Sequence, residues 1–133
     1  MKQLLIAYFS SLISMLALDA VWLGTMMSRF YKPRMGHLLA ENVSYAPAIV
    51  FYLFYSLGLL FFVIQPALKN STPLLHVFLY GALLGLIGYG TYDLTNQATL
   101  KNWTTALTLV DMAWGALITG LVSVIAVAVA RWL

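Results

Sequence analysis

Three aspartates stand inside stretches of sequence that are otherwise apolar: Asp19, Asp93 and Asp111. Each has aromatic company at helical spacing. Trp22 follows Asp19 by three residues and Trp114 follows Asp111 by three, while Asp93 lies one turn beyond Tyr89 and one turn short of Asn96. An ionisable group in an apolar span is costly, faces a protein interior or a water-filled cavity, and marks a functional site. Two chemistries suit the set. Carboxylates beside indole and phenol rings bind an organic cation by charge and by attraction to the ring faces. Alternatively, one protonated and one ionised carboxyl form an acid–base pair, with Asn96 or Tyr89 polarising a substrate. A structural network, in which Asp, Asn, Tyr and Trp satisfy one another, is the third reading.

The chain that must position these groups is 62% hydrophobic and 8% charged, against about 25% charged in an ordinary soluble domain. One domain of this size cannot hide so much apolar surface from water, so its solvent is lipid. The net charge of +3 comes from seven scattered basic residues, which form no patch for nucleic acid. Without cysteine there is neither a disulfide frame nor a thiolate metal site. His37 and His76 fall on opposite predicted sides, so no metal site is expected. Nucleophile triads, phosphate-binding glycine loops and haem motifs are also missing, and no cofactor is indicated. Lys2 ahead of an apolar run has the look of a signal peptide, but Asp19 interrupts that run and its length suits a span.

Hydropathy and punctuation predict an all-α fold: an antiparallel bundle of four transmembrane helices at about 4–27, 47–64, 74–96 and 104–129, in one integral membrane domain over 1–133. On the first helix, Ser11, Met15, Asp19, Trp22 and Met26 share a face. Residues 28–44 are the only polar stretch of any length. There Met35, Leu38, Leu39 and Val43 oppose Arg34, His37 and Glu41, a short amphipathic segment lying in the headgroup region or capping the bundle. His37 and Glu41 read as a solvated pair four residues apart. Pro47 suits a helix start and Gln65-Pro66 a helix stop. Tyr45 and Trp103 read as interface anchors, whereas Tyr52 and Tyr55 lie deeper and need partners for their hydroxyls. Gly81, Gly85 and Gly88 form a small-residue stripe, and Gly115 and Thr119 a second one, for close helix contact.

In this topology Asp19 and Asp93 lie near the ends of their spans and Asp111 near the start of its own. All three therefore fall in the membrane half next to the long first loop, within about 10 Å of depth. The Asp-x-x-Trp of the first helix is echoed in the fourth, each near a glycine, Gly24 and Gly115; antiparallel helices could set the pairs across a pseudo-twofold axis. No Lys or Arg lies within the spans. Either some of the acids carry protons or a cation is present.

Leu18-Asp-Ala-Val-Trp-Leu-Gly24, Phe51-Tyr-Leu-Phe-Tyr55, Gly88-Tyr-Gly-Thr-Tyr-Asp-Leu-Thr-Asn96 and Asp111-Met-Ala-Trp-Gly115 together resemble a family of small four-helix bacterial inner-membrane proteins, a domain of unknown function. The resemblance covers nearly the whole chain and implies a multi-pass membrane protein without assigning an activity. Asp19, Asp93, Asn96 and Asp111 match its motif positions.

Three functions follow, in order of preference. The first is an intramembrane pocket of Asp19, Trp22, Tyr89, Asp93, Asn96, Asp111 and Trp114 that binds or transports a small cationic or proton-coupled solute. Four helices are few for a transport path, so a homodimer is expected, with the glycine stripes as interfaces. The second is an enzyme acting on a lipid or isoprenoid, and the third an accessory subunit. Membrane lipid is a partner in every case, and a small cationic or apolar ligand in the first. Basic residues divide almost evenly between the two sides, so the positive-inside rule favours a cytoplasmic first loop only slightly.

Overall fold

The structure is a computed structural model that describes every residue from Met1 to Leu133. Four helices make it up: α1 (Lys2–Leu38), α2 (Tyr45–Asn70), α3 (Leu74–Thr99) and α4 (Thr105–Trp132). Each is long and apolar enough to cross a membrane. Continuous helix is what lipid demands, because it satisfies backbone N–H and C=O groups within the segment. The turns are tight. Ser71 takes a left-handed conformation (φ 54°) where α2 ends, and Asn102 does so (φ 64°) before α4. Thr104 caps α4, its Oγ1 accepting from the Leu107 N–H at 3.1 Å.

Two helices outrun the ends expected from sequence, for a shared reason. A proline removes a backbone donor, and its ring clashes with the carbonyl four residues back. Pro33 and Pro66 each stand two residues after a π-helical turn, Met27–Tyr31 in α1 and Leu60–Ile64 in α2. The wider turn moves the carbonyl that the ring would meet, so the helix continues. α1 therefore extends to Leu38 through the segment expected as a separate amphipathic helix, and α2 passes Gln65-Pro66 to reach Asn70. Because helix ends at Leu38, His37 and Glu41 share no helical turn.

Helix α4 is the hub and holds the largest share of buried residues. Against it α3 packs so closely that a Cβ on Gly85 would lie 2.2 Å from the Gly115 carbonyl oxygen. A Cβ on Gly81 would meet the Thr119 carbonyl at 2.9 Å, and one on Gly115 would enter the Tyr89 ring at 2.1 Å. Apart from Gly88, the small-residue stripes expected to serve a dimer are thus used inside the chain, as an α3–α4 seam. α1 runs antiparallel along α4, with Gln3 donating to the Ala130 carbonyl at 3.3 Å near one end and Trp114 meeting Asp19 towards the other.

α2 joins the core through its second half, where Ser56, Leu59, Val63, Ile64 and Ala67 are buried. None of the residues 45–54 is buried. The bundle is therefore closed at the end where α2 meets α3 and open beside the start of α2. Phe9, Phe54, Phe61, Phe62 and Leu79 are exposed on the periphery, where lipid receives them.

Gly85→Ala should lower the thermal unfolding midpoint in detergent through overpacking worth about 1–3 kcal/mol. Gly24→Ala, whose Cβ would have nothing within 4 Å, should leave the midpoint unchanged or slightly raised.

Candidate functional site

Helix packing brings Asp19, Trp22, Tyr89, Asp93, Asp111 and Trp114 around one cavity of about 210 Å³. These are six of the seven residues expected to form a pocket. The seventh, Asn96, lies a turn beyond Asp93 on α3, half-buried and outside the lining. Met27, Tyr31, Met35 and Leu39 close the cavity from the first-loop side. Of the two roles open to the polar stretch, capping the bundle is the one observed. Tyr31, Trp103 and Leu107 form a small apolar cluster there, with Trp22 and Met35 packed on it.

The indoles of Trp22 and Trp114 stack at 4.3 Å between centroids, 5° from parallel. Each indole N–H then serves the aspartate of the other Asp-x-x-Trp motif. Trp114 Nε1 donates to Asp19 Oδ1 at 3.1 Å. Trp22 Nε1 donates to the Tyr31 hydroxyl at 3.0 Å, which in turn donates to Asp111 Oδ1 at 2.7 Å. The echo read in the sequence is thus a physical exchange between α1 and α4. It stops short of the glycines, because Gly115 packs on Tyr89 whereas a Cβ on Gly24 would meet nothing within 4 Å.

Asp19 receives a second donor, the hydroxyl of Tyr52 from α2. Its carboxylate is therefore held by two side chains from two other helices. Tyr55 pairs its hydroxyl with Thr119 Oγ1 at 2.7 Å, so both deep tyrosines of α2 have the partners they need. Trp103, expected at the depth of the membrane interface, is buried in the bundle, its Nε1 donating to Thr108 Oγ1 at 3.0 Å. The Thr108 hydroxyl donates onward to the backbone carbonyl of Asp93 at 3.4 Å.

Asp93 differs from the other two acids. Its side chain has no exposed surface, and neither carboxyl oxygen accepts from an N–H or hydroxyl donor. It faces another carboxyl, that of Asp111. Two carboxylates side by side in a protein interior are not both ionised unless something positive or a proton lies between them. The three acids do not converge as ligands of a metal ion, and no other group of His, Asp and Glu does so.

Tyr31, Tyr52, Trp103 and Thr108 were absent from the site expected from sequence. Tyr31 lies in the stretch read as lying in the headgroup region or capping the bundle, and Trp103 has the position of an interface anchor. Tyr52 carries a signal, as a deep tyrosine that needs an acceptor, and Thr108 another, at helical spacing with Asp111 and Trp114.

A four-helix membrane bundle with an acidic, aromatic-walled cavity in one half is the class that fold and site define. The chain belongs to the family described as "Predicted membrane protein (DUF2177)", whose model matches residues 4–128. No curated protein and no solved structure matches the chain.

Asp19→Ala removes the acceptor of two donors and should destabilise the protein by about 1–3 kcal/mol, the penalty for stranding buried polar groups. Asp93→Asn removes a carboxyl that holds no donor, and should leave thermal stability unchanged or raised. Unfolding of the two variants in the same detergent measures the contrast.

Proposed function

We propose that the protein binds a small organic cation at the Asp93–Asp111 pair, in exchange for a proton, as the intramembrane site of a binder or carrier in the bacterial inner membrane. The observation that carries this reading is the Asp93 carboxyl, fully enclosed and without a donor. A buried charge without a partner is far more costly than any other group in the bundle. The cavity supplies no lysine or arginine to it, so the partner is a proton or comes from outside.

An ammonium group fits what surrounds the pair. Trp22, Tyr89, Tyr92, Trp103 and Trp114 wall the cavity, and aromatic faces around carboxylates are the usual means of holding an organic cation. A volume of about 210 Å³ lies below the roughly 300–1,000 Å³ of drug-sized sites, which favours a small head. Acid–base chemistry on a lipid or isoprenoid would draw on the same pair. Of the two residues open to polarising a substrate there, Tyr89 lines the cavity and Asn96 does not; the unpartnered Asp93 in an aromatic-walled space is what favours binding.

The test is a titration of the full chain in phosphatidylcholine nanodiscs with methylammonium, followed by tryptophan fluorescence and calorimetry. Saturable binding is expected for the wild type. Asp93→Asn should weaken it at least about 30-fold, the loss typical of removing one member of a buried charge pair. Binding of equal strength in Asp93→Asn, or none in the wild type, would overturn the reading.

A further inference from the structure

The acidic cavity has a neighbour. A second cavity of about 460 Å³ lies between the start of α2 and the middle of α3, lined by Phe51, Tyr55, Gly88, Tyr89, Tyr92 and Asp111. Tyr89, Tyr92 and Asp111 line both spaces. The second cavity lies beside the first half of α2, which leans on α1 through Tyr52 and Leu53 and has no buried residue from 45 to 54. Tyr92 is half exposed there, on the lipid-facing side.

From this continuity we propose that the site takes a single-chain amphiphile, with an ammonium head at Asp93 and Asp111 and an apolar tail in the α2–α3 groove, entering sideways from the bilayer. The proposal rests on the cation site proposed above and adds the tail and the route. Charge fixes the head: Asp93 is buried, unpartnered and in the lining of the inner cavity, and Asp111 joins the two spaces. Composition fixes the tail, because apart from Asp111 the groove offers only aromatic rings, a glycine and the tyrosine hydroxyls. Lys and Arg are missing from both linings, so a phosphate-bearing headgroup would meet carboxylates with nothing to balance it. That selects an amine or quaternary ammonium on one chain over a phospholipid.

Gly88 supplies an independent mark of the groove. The other glycines of its stripe, Gly81 and Gly85, are forced by backbone contact with α4. A Cβ on Gly88 would instead rest at 3.5 Å from the Tyr55 ring, an ordinary contact. Packing does not require glycine there. Its effect is to keep the wall beside Tyr55 thin, where the rings of Phe51 and Tyr55 stand 5.1 Å apart and that of Tyr89 meets Tyr55 edge-on at 6.3 Å.

The experiment uses the full chain in nanodiscs and a dodecylammonium probe carrying a photoreactive diazirine near the middle of its tail, with methylammonium as the tail-less comparison. Labelling of the wild type should concentrate on residues 51–55 and 88–92. Gly88→Leu, which fills the groove, should cut that labelling about tenfold, the scale of an overpacking penalty, while methylammonium binding is retained. Phe51→Ala widens the same groove and should increase labelling, which keeps the test decisive if Gly88→Leu does not fold. Label spread evenly over the lipid-facing surface, or insensitive to both substitutions while methylammonium still binds, overturns the groove and leaves the cation site standing. Absence of methylammonium binding to the wild type overturns the cation site and this inference with it. A phosphate-bearing competitor, lysophosphatidylethanolamine, should not displace the probe; displacement at equal concentration would overturn the headgroup assignment.

Discussion

The carboxylate of Asp19 is the tie on which the rest of the site depends. It stands on α1, takes the Tyr52 hydroxyl from α2 and the Trp114 indole N–H from α4, and so joins three helices at one point. In lipid there is no water to substitute for such donors, so a polar group that finds partners inside the bundle is held firmly. Fixing Trp114 fixes the plane against which Trp22 stacks. Trp22 then aligns Tyr31, and Tyr31 aligns Asp111. One acid thereby orients another across the cavity without touching it.

The same chain of contacts sorts the three acids by role. Asp19 has a donor on each oxygen, Asp111 has a donor on one, and Asp93 has none and faces Asp111. A stability optimum would not leave a carboxyl in that state, because an isosteric amide or an apolar residue would suit the interior better. Proteins retain such groups where function needs them. The glycine seam between α3 and α4 sets the geometry, since only the absence of a side chain at Gly85 and Gly115 brings Asp93 and Asp111 from neighbouring helices to one wall of one cavity.

Much of this could be read in the residues themselves. The number of spans followed from apolar length, and the convergence of Asp19, Asp93 and Asp111 followed from alternating direction along a four-helix chain. What could not be read was anything set by a local backbone detail. Pro33 and Pro66 are stop signals until a π-helical turn displaces the carbonyl behind them, and no residue type announces such a turn. Tyr31 was missed as a result, because it belongs to a segment that only the extension of α1 returns to the cavity. Asn96 shares helical spacing with Asp93, but the cavity ends one turn before it. Gly88 looked like its neighbours in the glycine stripe, and only the placement of α2 gives it a different surrounding.

The central claim is that Asp93 and Asp111 hold a proton between them until a cation takes its place. Infrared difference spectroscopy of the nanodisc-embedded protein, before and after addition of methylammonium, tests this most directly. The account predicts that a protonated-carboxyl stretch disappears as the amine binds, and that neither Asp93→Asn nor Asp111→Asn shows the change. A carboxyl band that is untouched by the amine, or that changes equally in Asp93→Asn, would contradict the account and return the pair to a purely structural role.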